Sequence, residues 1–136
     1  NSSGYAVDLG LSWQMNKVIT LSGSALNLGK MNHFKYERPI LPKRFIAHAS
    51  YRANNRQIFL SIEKNELIEH PLFYLGSTIK KDNLFAGATA MINDDTKSIL
   101  AGMGINFGIY TFSYGFQYGN QDIGVPQIID ISFRLP

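Results

Sequence analysis

From Tyr110 to Tyr118 every second residue is aromatic, with Tyr110, Phe112, Tyr114, Phe116 and Tyr118 alternating with Thr111, Ser113, Gly115 and Gln117. Only an extended strand repeats its side chains with period two, so the rings share one face and the small or polar groups the other. A helix would wind the same rings around its whole circumference. The segment commits the chain to a sheet with one strongly apolar face.

The same period recurs along the chain. Tyr5, Val7, Leu9, Leu11 and Trp13 alternate with Ala6, Asp8, Gly10, Ser12 and Gln14. Asn16 and Lys17 mark a turn, and Val18 to Leu28 reads as a second strand whose alternation slips near Leu26, as a bulge would make it do. Gly29 to Pro42 reads as a long loop. Further strands are expected at Arg44 to Arg52, Gln57 to Glu63, Leu72 to Ile79, Leu84 to Ile92, Ile99 to Phe107 and from Ile129 onward. Turn residues separate them at 53–55, 80–83, 93–95 and Gly108. Asn65 to Pro71, with room for a short helical turn, and Gly119 to Pro126 are longer loops. The expectation is an all-β, antiparallel up-and-down sheet of about nine strands, forming a single domain over 1–136 without an amphipathic helix.

Composition removes several chemistries. The sequence has no cysteine, which excludes disulfides, thiolate metal sites and a cysteine nucleophile. Its net charge of +3 comes from scattered Lys and Arg, so nucleic acid is not an expected partner. No apolar run approaches the roughly 18 to 20 residues of a membrane helix.

Alternating strands fit a soluble barrel, with its apolar face turned inward, and a membrane barrel, with that face turned to lipid. The other face decides. Asp8, Ser12, Gln14, Gly102, Gly104, Asn106, Thr111, Ser113, Gly115 and Gln117 are mostly small and uncharged, which suits a crowded lumen better than a solvated surface. Tyr5, Trp13, Tyr51, Tyr110 and Tyr118 fall near strand ends, where a membrane barrel places its aromatic girdles. Tyr5, Trp13, Tyr110, Phe112, Tyr114, Phe116 and Tyr118 are the expected lipid-facing aromatics. Joins after the first, third, fifth and seventh strands are short, and those after the second, fourth and eighth are longer. This is the asymmetry of periplasmic turns and external loops, with the join after the sixth strand as the exception. Single-chain bacterial barrels have an even number of strands, so an odd number is expected before Asn1 in a longer protein, unless a partner closes the sheet.

The strand pair ending in Ala25-Leu26-Asn27-Leu28-Gly29-Lys30, the long loop with Leu41-Pro42, and the strand ending at Tyr51 resemble the FadL-like outer-membrane superfamily, in particular its PorV/PorQ branch associated with type IX secretion. Gly102-Met103-Gly104, the aromatic strand and the final Ile129-Asp130-Ile131-Ser132-Phe133-Arg134 are similar to the way those barrels close. The resemblance implies the C-terminal part of a 14-stranded transmembrane barrel in the bacterial outer membrane, a fragment lacking five N-terminal strands and the plug. It also implies secretion-system proteins as partners or, as an alternative, passage of fatty acids or another hydrophobic ligand. Leu135-Pro136 departs from the aromatic residue that usually ends such barrels.

A rival of another class is a soluble β-barrel lipid carrier, which needs the apolar stripes inside. Arg44, His48 and Arg52 share one face, with Glu63 on the polar face of the next strand, and Asp130 shares a face with Arg134. Together with Asp8 these are expected to form a charge network in the lumen, where buried charges need partners. His48 and Ser50 also share a face, but with no orienting third group they do not make a hydrolase. His33 and His70 lack ligand spacing for a metal. Neither catalysis nor a cofactor is expected; the lipid bilayer is the first partner.

Overall fold

The computed structural model describes residues 4–31, 41–120 and 124–133. Nine strands occupy nearly all of them: β1 (Gly4–Gln14), β2 (Ile19–Met31), β3 (Arg44–Ala53), β4 (Arg56–Asn65), β5 (Leu72–Lys81), β6 (Leu84–Ile92), β7 (Lys97–Phe107), β8 (Tyr110–Gly119) and β9 (Gln127–Phe133). Each pairs antiparallel with the next, giving one up-and-down sheet in chain order and no helix among the described residues. Strands touch only their sequence neighbours, so no second layer covers either face. In place of a core between layers, a single large apolar side chain among the described residues, Leu72, is buried.

Turn chemistry sets the register. Asn54-Asn55, Asp82-Asn83 and Gly108-Ile109 form two-residue connections. Asn54 (φ 52°), Asp82 (φ 52°) and Gly108 (φ 59°) lead them in the left-handed conformation that Asn, Asp and Gly tolerate best. Between β1 and β2, Asn16 Oδ1 accepts from the N–H groups of Val18 and Ile19 at 2.9 and 2.8 Å. These four turns make one rim, the short-turn rim. The opposite, long-loop rim holds residues 41–43, 66–71, 93–96 and the described ends of the β8–β9 connection.

The slip near Leu26 is a bulge: Val7 pairs with Leu28 and Leu9 with Ala25, so Leu26 and Asn27 oppose Asp8 alone. Asn27 takes φ 61°, its N–H donates to Asp8 Oδ1 at 2.7 Å, and its side chain donates to the Pro42 carbonyl at 2.9 Å. The bulge lets β2 continue to Met31, so Gly29 and Lys30 are strand where loop was expected. Gly29 lies so close to the Tyr5 carbonyl that no Cβ fits there. The rest of that loop, residues 32–40 with His33, lies outside the described residues. Asn65 to Pro71 forms a hydrogen-bonded turn instead of a helical one, with Ile68 N–H donating to the Asn65 carbonyl at 3.1 Å.

Candidate functional site

Cross-strand register assigns every residue to one of two faces. On the first face lie Leu9, Leu11 and Trp13 of β1, Ile58, Leu60 and Ile62 of β4, Phe73 and Leu75 of β5, Ile99, Met103 and Ile105 of β7, the five rings of β8, and Ile129, Ile131 and Phe133 of β9. These residues are exposed: Leu11 and Ile129 reach 78% while Glu63 and Ser98, on the other face, fall to 5%. This inverts the order that water imposes on a sheet. Covering a large apolar side chain is worth about 1.5–3 kcal/mol, so leaving this face uncovered forgoes on the order of tens of kcal/mol. That exceeds the roughly 5–15 kcal/mol by which a domain is stable, and the face therefore requires a cover.

Charges on this face follow a simple pattern. Its ionisable cations are Arg56 and Lys81 at the short-turn rim and Lys30, Lys64 and Lys97 at the long-loop rim; among the described residues it carries no carboxylate, and no charge stands between the rims. Trp13, Tyr51 and Tyr110 border it on the first rim, Tyr5 and Tyr118 on the second. Tyr5, Trp13, Tyr110, Phe112, Tyr114, Phe116 and Tyr118 all lie on this face, and the Tyr114 hydroxyl is satisfied by Gln127 Oε1 at 3.1 Å. Lys and Arg at the margins can lay their stems along apolar surface and hold their charges beyond it.

The second face carries most of the small and polar groups, with Ile46, Phe59, Leu72, Phe85, Met91, Leu100 and Ile128 among them. Glycines stand where neighbours come close: Phe59 folds over Gly76 and Phe85 over Gly104, and a Cβ on Gly104 would also lie 2.6 Å from the Phe112 carbonyl oxygen. In β3–β5, hydrogen-bonded charge stands beside the contact of Phe59 with Gly76. Arg44 donates to Glu63 through two parallel bonds (Nε to Oε1 2.7 Å, Nη2 to Oε2 3.0 Å), and the Tyr74 hydroxyl donates to Glu63 Oε2 at 3.3 Å. Such a fork holds a buried carboxylate in one orientation.

Of the expected charge network, Arg44 and Glu63 meet. The remainder does not join them. Arg52 donates to Gln57 Oε1 at 2.9 Å, Asp8 accepts the Asn27 N–H in the bulge, and Asp130 stands opposite Ser113 in β8. Arg134 lies outside the described residues. The dispersal has a geometric cause: Arg44 and Arg52 sit near opposite ends of a ten-residue strand, too far apart for one cluster. His48 pairs with Ser61, Nδ1 to Oγ 2.7 Å, and not with Ser50; its ring packs on Phe59 at 5.6 Å. No group of three metal-ligating side chains occurs among the described residues.

Tyr74, Ser61 and Gln57 were not singled out from sequence, although a signal existed. Once Asn54-Asn55 is read as a two-residue turn, counting outward pairs Arg52 with Gln57 and His48 with Ser61. Two contacts at the long-loop rim also went unread. Lys43 binds Glu66 through its backbone N–H and its ammonium, both at 3.1 Å, and these hold the Glu66 carboxyl below its ordinary pKa, the backbone bond foremost. His70 Nδ1 lies 3.3 Å from Asp94 Oδ2.

Compared with family models, curated proteins and solved structures, the chain matches none.

Proposed function

We propose that these strands form part of the wall of an outer-membrane β-barrel, with the apolar face against lipid and the polar face toward the lumen, in a non-enzymatic protein associated with secretion. One observation carries the reading: an exposed apolar surface runs across nine strands, free of charge between two margins of Lys and Arg. Eight strands have 9 to 13 residues, and at about 3.3 Å per residue and barrel tilt such strands cross a band about 25 Å tall. A soluble lipid carrier needs the opposite arrangement, with the apolar face enclosed.

The two edge strands, β1 and β9, both run from the long-loop rim to the short-turn rim. Pairing them directly would be parallel, so an antiparallel barrel closes only through an odd number of further strands; the five implied by a 14-stranded FadL-like barrel satisfy this. The secretion role rests on the resemblance to the PorV/PorQ branch, and it assigns partner contacts to the long-loop rim.

Cell fractionation followed by a heat-modifiability gel tests the wall. Recovery in the outer membrane with a heat-shifted band is expected, and recovery as a water-soluble monomer would overturn it. Deleting residues 66–70 tests the role: secretion of cargo should fail while the heat-shifted band persists, and loss of fatty-acid uptake alone would transfer the protein to the transport reading.

A further inference from the structure

The two rims differ in charge. Among the described residues the short-turn rim carries Lys17, Arg52, Arg56, Lys80 and Lys81 against one acid, Asp82. Among the described residues of the long-loop rim, Lys30, Lys43, Arg44, Lys64 and Lys97 stand with Glu63, Glu66, Glu69, Asp94 and Asp95, and three contacts are direct: Lys43 with Glu66, Arg44 with Glu63, and His70 with Asp94. Even Lys64, on the apolar face there, is held by the carbonyls of Ile68 and Glu69. Among the described residues the excess positive charge therefore lies at one margin of the sheet, and two of its members, Arg56 and Lys81, project on the apolar face.

Beside them the apolar face is not flat. Ala86 in β6 pairs with Ile79 on one side and Met103 on the other, and the small side chain between larger ones opens a groove of about 660 Å³ that continues past Ile105 and Tyr114 to Ile129. Its exposed lining is almost wholly apolar; Lys81 stands in its wall at the rim, and Ser113 and Asp130 border its far end in β8 and β9. Arg56 pairs with Ile79, two residues before Lys81 on the same face, so it stands one strand beyond the groove's β5 end without lining it.

We propose that this groove binds one acyl chain of an anionic glycerophospholipid, with the lipid phosphate held by Lys81 and Arg56. The occupant follows from complementarity: an apolar slot requires a flexible hydrocarbon, and two cations at one end, with Asp130 only at the other, require an anion at the hydrocarbon's head. The inference rests on the wall reading and makes the short-turn rim the side that faces anionic phospholipid.

The test is native mass spectrometry of the full-length protein extracted from membranes in mild detergent and offered phosphatidylglycerol or phosphatidylcholine. Retention of phosphatidylglycerol is expected, reduced about thirtyfold by Lys81→Gln with Arg56→Gln, at roughly one exposed-cation contribution each. Ala86→Phe, which fills the groove, should release both lipids, while Lys64→Gln with Lys97→Gln at the other margin should change nothing. Equal retention of the two lipids, or no effect of the Lys81 and Arg56 changes, in a protein that still partitions to membrane would overturn this inference alone. A protein found in the soluble fraction would overturn the wall reading with it.

Discussion

β3 and β8 each have ten residues and pair with a strand on both sides, yet they distribute bulk in opposite ways. β8 sends five rings to the apolar face and keeps Thr, Ser, Gly and Gln on the other. β3 has Ala47 and Ala49 at the centre of its apolar face and places Arg44, Ile46, His48 and Arg52 behind them. The polar face of the sheet is accordingly pinned by two different means. Around β3–β5 charged and imidazole groups add directional bonds, Arg44 to Glu63 and His48 to Ser61, to the contact of Phe59 with Gly76; around β6–β8 backbone approach at glycine and Phe85 lying on Gly104 combine with neutral bonds, Thr111 to Asn106 and Gln117 to Ser98. Hydrogen bonding and close packing together fill the same narrow space.

The largest expected effect breaks β8 on its apolar side. Phe116→Arg should cost about 2–4 kcal/mol for folding into lipid, whereas Gln117→Arg next to it, on the polar face, should cost less than about 1 kcal/mol. Denaturant titration in lipid vesicles measures both. Equal effects would abolish the distinction between the faces.

In the β3–β5 region, Arg44→Met leaves the Glu63 carboxylate buried with Tyr74 as its remaining hydroxyl donor. Losing a buried partner costs about 3–5 kcal/mol, and because the Arg44 side chain is 40% exposed we expect about 2 kcal/mol. The double change Arg44→Met with Glu63→Leu should recover most of that loss; a double variant no better than the single one would show that the pair does not act as a unit.

Close packing in β6–β8 is sharpened by two glycines. Gly104→Ala forces a Cβ against the Phe112 carbonyl and should cost about 1–2 kcal/mol, while Gly115→Ala, whose Cβ would lie 3.4 Å from the Ala101 carbonyl, should stay within about 0.5 kcal/mol. Similar values would mean that glycine serves β6–β8 only as a gap. In the hairpin joining β3 to β4, Asn54→Ala should cost about 1 kcal/mol because φ is 52°, and Asn54→Gly should be neutral in the same titration.

The smallest effect lies outside the strands. Because the Glu66 carboxyl is held below its ordinary range, its contact with Lys43 contributes fully above the ordinary glutamate pKa and is lost as pH falls through the lowered value. The Lys43 amide should lose hydrogen-exchange protection across that acidic window, after correction for the intrinsic rate. Protection unchanged down to pH values where Glu66 is protonated would remove the carboxylate as its cause.

β8 was legible because ten residues alternate without a fault and Gly108 punctuates its start. β2 was legible only in part: Asn27 in the left-handed conformation breaks the period, and Gly29-Lys30, composed like a loop, continues as strand because Gly29 accommodates the Tyr5 backbone. For the charged residues, strand faces were readable but partners were not. A partner depends on register across a turn, and moving the β3–β4 turn by one residue redirects His48 away from Ser61. Asp8 illustrates the limit, since its role in the bulge appears only when Asn27 is placed opposite it.

Residues 1–136 contain no cysteine, so single cysteines introduced from Tyr110 to Gly119, with any cysteine elsewhere in the protein replaced by serine, can each carry one label, reporting lipid contact residue by residue. Quenching by a lipid-soluble agent in the full-length protein, reconstituted in vesicles, should alternate with period two. It should be strong at positions 110, 112, 114, 116 and 118 and weak at 111, 113, 115 and 117. Uniformly weak quenching, or alternation in the opposite phase, would contradict the assignment of the apolar face to lipid.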